Sequence, residues 1–316
     1  MQKNYNPILI VSGEPRSVFL EIFFKTFKKK IKSPLILIVD KKILKKQMKL
    51  LNFNFQLNEL QIKEVLKGKI AKKKINFMNI GTYSSINEYI EKSFTLALSI
   101  LKKRPSYNLI NGPIIKENFL KGKYPGITEY LGSKLKTKKN ASMLIFNKNL
   151  SVSPITTHIP LKSVHKNLDK PKIKNHIRIL NKFFIQFLKK KPKIAITGLN
   201  PHCESNFHNS EEDKIIIPAM NDLRKEKINL SGPFPADTIF LKQNYSKFDV
   251  IVGMYHDQVL TPIKSMFEFK AINITMGLPF LRISPDHGPN SKMYGKNISD
   301  YSSLLEAIKF IDNKCN

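Results

Sequence analysis

Short apolar runs alternate along the chain with longer segments whose apolar positions recur at helical spacing. The apolar runs are nearly continuous, which is typical of strands buried on both faces. They predict strands over residues 8–11, 35–39, 109–110, 143–146, 193–197, 249–253 and 271–275. Helical spacing predicts helices over residues 86–101, 177–188 and 304–311, the first opened by a capping box of Ser85 and Glu88. This alternation predicts an α/β fold with largely parallel sheets.

The length of 316 residues favours two domains over a single core. A Lys-Gly-Lys-Tyr-Pro-Gly-Ile stretch at 121–127 indicates a boundary between them. The stretch 232–238, which contains two prolines, is interpreted as a rigid connecting loop. No apolar run approaches the roughly 18 residues that would span a bilayer, and the polar start of the chain argues against a secretory signal. Without a spanning segment we expect no membrane partner. Two cysteines cannot form a disulfide framework, which favours a reducing compartment and therefore a cytoplasmic location.

The formal charge of +30 raises the alternative of a non-catalytic protein that binds nucleic acid. The positive charge comes almost entirely from lysine, which is spread over the whole chain, often in pairs and triplets near the ends of apolar segments. Abundant lysine, asparagine and isoleucine indicate a genome rich in A and T. The sequence also lacks a zinc-finger pattern and a concentrated arginine stripe. We therefore expect no nucleic-acid partner.

Three histidines follow predicted strands. His158 comes soon after Ile155, His202 follows the strand at 193–197, and His256 follows the strand at 249–253. Ligands of open α/β sheets bind beyond the carboxyl ends of the strands, and three converging imidazoles suit a divalent cation with an open coordination position. The alternative without a metal is that each histidine is an ordinary hydrogen-bonded or surface residue.

Two cationic side chains near these segments suit the binding of carboxylate or phosphate groups. Lys264 lies eight residues after His256, and Arg282 follows a Gly-Leu-Pro turn in a chain with few arginines. A structural salt bridge is the alternative role for Arg282. The first strand is not followed by Gly-x-Gly-x-x-Gly, and no Walker-type loop is present, so a dinucleotide would be held in another way.

Eight segments, in order along the chain, resemble those of the 4-hydroxythreonine-4-phosphate dehydrogenase family of pyridoxal phosphate biosynthesis. They are Asn-Gly-Pro-Ile at 111–114, Gly-Ile-Thr-Glu-Tyr at 126–130, Thr-Thr-His-Ile-Pro-Leu at 156–161, Gly-Leu-Asn-Pro-His at 198–202, Gly-Pro-Phe-Pro-Ala-Asp-Thr at 232–238, Tyr-His-Asp-Gln at 255–258, Asn-Ile-Thr-Met-Gly-Leu-Pro at 273–279 and Asp-His-Gly at 286–288. Any one of them is a weak signal, whereas the ordered set is specific.

The resemblance implies two α/β domains with a cleft between them, similar to isocitrate and isopropylmalate dehydrogenases. The first would comprise residues 1–125 plus 280–316 on the cofactor side. The second, residues 126–279, would carry the metal ligands and the contacts of a homodimer. The resemblance also implies an active site at the dimer interface, one divalent metal cation (Zn, Mg or Co), and NAD or NADP.

The family's functional residues match named positions of this chain. The resemblance implies that His158, His202 and His256 bind the metal and that Lys264 and Asp257 take part in catalysis. Substrate would contact Thr128, Lys264, Asn273 and Arg282, and cofactor would contact Asp286, His287 and Gly288. The implied reaction is oxidation of 4-phosphohydroxy-L-threonine to a 3-keto acid, which loses carbon dioxide to give 3-amino-2-oxopropyl phosphate. Ile127 stands where the family has histidine, which motivates a second hypothesis: the same reaction class on another phosphorylated acid such as a phospho-threonate or phospho-erythronate.

Overall fold

A computed structural model of the chain describes residues 5–115, 119–120, 124, 126–137, 141–203, 209–268, 271–285 and 287–314. The chain divides into two compact units. Unit 1 comprises residues 1–123 and 279–316, and unit 2 comprises residues 124–278. Elements are numbered below in chain order. None of the helices in the described ranges combines the length and the hydropathy of a membrane-spanning segment.

Unit 1 is built on a wholly parallel sheet with the strand order β3-β4-β2-β1-β5-β12. Its strands are β1 Ile8–Val11, β2 Leu35–Val39, β3 Leu57–Glu59, β4 Ile75–Asn79, β5 Asn108–Asn111 and β12 Arg282–Pro285. Every residue of β1 and β2 is buried, because the sheet is covered on both faces, as the continuous apolar runs predict.

The helices of unit 1 in the described residues include α1 Phe19–Phe27, α2 Lys41–Leu50, α3 Ile62–Leu66, α4 Ile86–Lys103 and α10 Ser302–Lys314. The hydroxyl of Ser85 accepts a hydrogen bond from the N–H of Glu88 at the start of α4, which is one half of the predicted capping box. The Glu88 carboxylate accepts instead from the N–H and hydroxyl of Ser84. A cluster of rings packs between α1 and the segment after α2, and includes Phe24, Phe53 and Phe55.

Unit 2 is built on a mixed sheet with the strand order β11-β6-β7-β10-β8-β9. Its strands are β6 Ser142–Phe146, β7 Ser151–Thr156, β8 Ile194–Thr197, β9 Leu230–Phe234, β10 Val250–Tyr255 and β11 Ile272–Met276. The four strands β7, β10, β8 and β9 are parallel, whereas β6 runs antiparallel to both of its neighbours. The carboxyl ends of β7, β10 and β8 therefore meet at one edge.

The helices of unit 2 are α5 Ile127–Lys134, α6 Lys170–Phe187, α7 Ile217–Lys225, α8 Lys242–Tyr245 and α9 His256–Phe267. Helix α6 begins seven residues before the predicted start at 177. The Asp169 side chain caps it by accepting from the N–H of Lys172, and a proline stands in its first turn. Residues of β6, β7, β8, β10 and α9 share one hydrophobic core.

The fold class is as predicted, an α/β protein with largely parallel sheets, and each predicted strand and helix overlaps one in the structure. The interpretation of residues 232–238 as a connecting loop is wrong at its start. Residues 230–234 form β9 at the edge of the unit 2 sheet, and the Arg224 side chain donates to the carbonyl oxygens of Leu230 and Gly232. An edge position tolerates proline, because one side of such a strand has no ladder partner.

Candidate active site

The three predicted metal ligands leave the same edge of the unit 2 sheet, because they follow the parallel strands β7, β8 and β10. His158 lies two residues beyond the end of β7, and His256 opens α9 directly after β10. Their ring centroids are 5.8 Å apart, with the planes tilted by 41°. Adjacent parallel strands thus bring together two imidazoles that are nearly 100 residues apart in sequence.

His202 lies in a short turn, Pro201–Cys203, with its backbone in the left-handed region at φ 60°. Its side chain is exposed. Over the part of the chain that the structure describes, no group of three His, Cys, Asp or Glu side chains is arranged to hold a metal ion. The structure therefore pairs His158 with His256 and leaves the three-histidine set a prediction.

A carboxylate that sequence reasoning gave no role stands beside His158. Oε1 of Glu129, on α5, lies 3.8 Å from Nδ1 of His158 and accepts a hydrogen bond of 3.1 Å from the hydroxyl of Thr157. Burial raises the pKa of Glu129, but the neighbouring His158 and the hydrogen bonds outweigh it, so the pKa is lowered from its ordinary value. Glu129 is thus held as an anion against the ring of a predicted metal ligand.

The predicted substrate residues of unit 2 lie on elements that flank this edge. Thr128 Oγ1 is 3.2 Å from Thr275 Oγ1, which connects the start of α5 to the end of β11. Asn273 places its Nδ2 3.6 Å from the Met143 sulfur, and its Oδ1 is buried with no hydrogen-bond partner among the described residues. A buried orphan acceptor of this kind fits a donor supplied by a ligand.

A cavity of about 50 Å³ opens at the same edge. Thr128, Glu129, Thr157 and His158 are among the residues that line it, together with the buried His176 of α6. The cavity is therefore bounded by one predicted substrate residue, one predicted metal ligand and the carboxylate beside that ligand.

The two predicted catalytic residues lie on α9. Asp257 Oδ1 is 2.6 Å from Nδ1 of His256, and the Asp257 side chain is 79% exposed. Lys264 lies about two turns further along the helix and is half-buried. Burial lowers the pKa of Lys264 from its ordinary value, which eases its loss of a proton.

The remaining predicted residues belong to unit 1. Arg282 opens β12, is 3% exposed, and donates from Nε to Oδ1 of Asn111 at 2.8 Å.

His287 stacks on Phe19 with centroids 6.1 Å apart, and its Nε2 is buried without a partner among the described residues. Burial lowers the pKa of His287 and favours its neutral ring. A Cβ added to Gly288 would meet only the Asn290 side chain, at 3.6 Å, and Asp286 lies outside the described residues.

Comparison with known proteins gives consistent results. A sequence model of the family described as "Pyridoxal phosphate biosynthetic protein PdxA" matches residues 30–311. A protein of Sulfurihydrogenibium sp. (strain YO3AOP1) named 4-hydroxythreonine-4-phosphate dehydrogenase is 37% identical over 312 residues, which cover 96% of both chains. A crystal structure of a 4-hydroxythreonine-4-phosphate dehydrogenase from Burkholderia phymatum is 26% identical, covers 97% of both chains and gives a TM-score of 0.80.

A more distant structure shares the fold alone. Isocitrate dehydrogenase from Methylococcus capsulatus is 9% identical, with a TM-score of 0.50 over 97% of this chain and 84% of its own. The predicted likeness to the isocitrate dehydrogenase fold is thereby confirmed.

Proposed function

We propose a function from one premise: this chain belongs to the family of pyridoxal phosphate biosynthetic protein PdxA. The proposed reaction is the oxidation of 4-phosphohydroxy-L-threonine to a 3-keto acid that decarboxylates to 3-amino-2-oxopropyl phosphate. NAD or NADP accepts the hydride, and the reaction depends on a divalent cation. The observation that carries the proposal is the pair of imidazoles, His158 and His256, that adjacent parallel strands hold 5.8 Å apart.

The side chains at this edge fit a divalent cation. Two neighbouring imidazoles, each with a carboxylate beside its Nδ1, are a common donor arrangement for Zn²⁺ and Co²⁺. We propose that His158 and His256 hold the cation and that His202, of the same chain or of the second copy in a homodimer, completes the set. When bound, the cation acts as a Lewis acid that stabilises negative charge on a substrate oxygen.

Oxidation removes a hydride from the carbon that bears the hydroxyl group and a proton from its oxygen, so the chain must provide a proton acceptor. We propose Lys264 for this role, because burial lowers its pKa and brings its neutral form closer to physiological pH. Asp257 is the second candidate, since it is ionisable, exposed and in contact with His256.

Three of the predicted substrate residues carry groups that suit an anionic substrate. Arg282 is always charged, and its contact with Asn111 fixes the plane of its guanidinium group, which suits a phosphate or carboxylate. Thr128 and Asn273 would hydrogen-bond the remaining oxygen and nitrogen atoms. His287 and Gly288 are proposed to contact the nicotinamide nucleotide, with a buried ring nitrogen available at His287 and open space around Gly288.

The test is NAD reduction by purified protein with Co²⁺ or Zn²⁺, over a panel that includes 4-phosphohydroxy-L-threonine, phospho-threonate and phospho-erythronate. His256→Ala should lower turnover by at least about 100-fold, more than the loss of an outer-shell residue usually costs. His165→Ala is the matched control, because His165 is an exposed histidine of the same unit in another turn. Retained turnover in His256→Ala would refute the role of the pair, and highest turnover with another acid would reassign the substrate.

A further inference from the structure

Gln258 lies on the first turn of α9, two residues after His256, and is 8% exposed. Its Oε1 accepts from the N–H of Met254 at 2.7 Å and from the hydroxyl of Thr197 at 2.9 Å. Its Nε2 donates to the carbonyl of Gly198 at 2.7 Å. This one buried amide therefore bonds to the ends of two neighbouring strands.

The position of this bridge along the sheet is informative. The backbone pairing of β8 with β10 ends at Ile196 opposite Val252. Beyond that pair β10 continues beside β7 to Tyr255 and leads directly into α9 at His256, whereas β8 ends at Thr197 and the chain enters the loop toward His202. The Gln258 amide extends the cross-link past the last paired residues, and without it a buried carbonyl and a buried N–H would lose their partners.

The loop toward His202 is also fixed on its other side. The buried carboxylate of Glu212 accepts from the N–H groups of Leu199 at 2.7 Å and Asn200 at 2.8 Å, and from the Asn200 side chain at 2.8 Å. A Cβ on Gly198 would lie 2.7 Å from the Cys203 sulfur and 2.8 Å from Glu212 Oε1, so a side chain there would displace Cys203 or Glu212. The chain between β8 and His202 is thus held by Gln258 at one point and by Glu212 at the next.

We infer that Gln258 is a positioning residue of the cation site: its amide holds both the start of α9, which carries His256, and the beginning of the loop that leads to His202. The inference rests on the proposed function, because it assigns those histidines to a divalent cation. Both acceptor positions of Oε1 are used by Met254 and Thr197, so the residue acts through the loops and is not itself a ligand. Outer-shell residues that orient metal ligands typically change metal affinity by about 10- to 100-fold.

The experiment measures Co²⁺ binding by the full chain, through its affinity by titration calorimetry and through the visible absorption spectrum of the bound ion. Gln258→Glu keeps the shape and the acceptor atoms but removes the donor to Gly198. The matched control is Asn76→Asp in unit 1. Asn76 is also a buried amide, 4% exposed, whose Nδ2 donates to the Ala71 and Lys74 carbonyls. We expect Gln258→Glu to weaken Co²⁺ binding by about 10- to 100-fold and to alter the spectrum, and Asn76→Asp to leave both unchanged.

A second variant, Thr197→Val, removes the hydroxyl that lies 2.9 Å from Gln258 Oε1 and 3.5 Å from the Val252 carbonyl oxygen, and should weaken Co²⁺ binding in the same direction by a smaller factor. If Gln258→Glu does not fold, the Co²⁺ affinity of Thr197→Val tests the positioning role of Gln258. If the wild-type chain binds no Co²⁺, both the proposed function and this inference are overturned. If the wild type binds and the foldable variants bind as tightly, or Asn76→Asp weakens binding equally, only the inference is overturned.

Discussion

His176 provides a prediction about stability and pH. It lies on α6, is 5% exposed, and its Nε2 is 2.7 Å from the hydroxyl oxygen of Ser153. That hydroxyl donates its single hydrogen to the carbonyl of Met143, so it must accept from His176. Nε2 therefore carries a hydrogen, and burial of the ring favours its neutral form.

The structure gives the size of the effect. Burial, with a smaller contribution from the charge of Lys172, lowers the pKa of His176 from 6.5 to about 4. Between these values the unfolded chain binds a proton that the folded chain does not, so acid favours unfolding. A shift from 6.5 to about 4 corresponds to about 3 kcal/mol of destabilisation, which is absent above pH 6.5 and grows progressively as the pH falls toward 4.

The variant His176→Gln isolates this contribution, since glutamine can still donate to Ser153 but does not titrate. Urea unfolding followed by circular dichroism at pH 7.5, 6.5, 5.5 and 4.5 gives the free energy of unfolding of both proteins. Other titrating groups are common to both, so the difference between the two proteins reports His176 alone. We expect that difference to move in favour of the variant by about 2–3 kcal/mol between pH 7.5 and pH 4.5.

The control is His165→Gln, which replaces an exposed histidine of the same unit and should follow the wild type at every pH. If the stability curve of His176→Gln runs parallel to that of the wild type from pH 7.5 to pH 4.5, the ring is not held neutral by burial and the reasoning fails.

Two further predictions concern the ligand edge of unit 2 and the packing of unit 1. Glu129→Gln should weaken Co²⁺ binding by about 10-fold, because His158 loses the anion beside its ring; calorimetry giving the wild-type affinity would contradict this. Asp312→Ala should lower the free energy of unfolding by about 3 kcal/mol, because the buried carboxylate accepts from the backbone N–H groups of Lys32 and Ser33 and from the Ser33 hydroxyl. A urea midpoint unchanged from wild type would show that water replaces these bonds without cost.

How far the sequence predicts the fold depends on what each strand contacts. Strands β1 and β2 are buried on both faces, so their apolar runs are unbroken and easy to recognise. Strand β3, Leu57–Glu59, has only three residues and lies at the edge of its sheet, while β9 contains glycine and proline. Neither carries the pattern of a central strand, and the buried central strand β4, which is interrupted by the polar Asn76, is also absent from the predicted set. Edge strands need only one partner and one covered face, so their composition resembles that of loops.

In the candidate site, the proposed ligands are predictable from the sequence, whereas the residues that support them are not. A histidine that follows a strand can be recognised as a candidate ligand from the sequence alone, because parallel strands in an α/β sheet end at a common edge. The support of that histidine depends on which strands are neighbours. Gln258 acts on the His202 loop only because β10 pairs with β8, and Glu129 reaches His158 only because α5 packs beside the end of β7. Strand order is a long-range property, so the ligands of such a site are predictable from sequence before the residues that hold them in place. Weaker Co²⁺ binding by the Gln258 and Glu129 variants would therefore show how much the contacts set by strand order contribute to the site, beyond the histidines that the sequence pattern predicts.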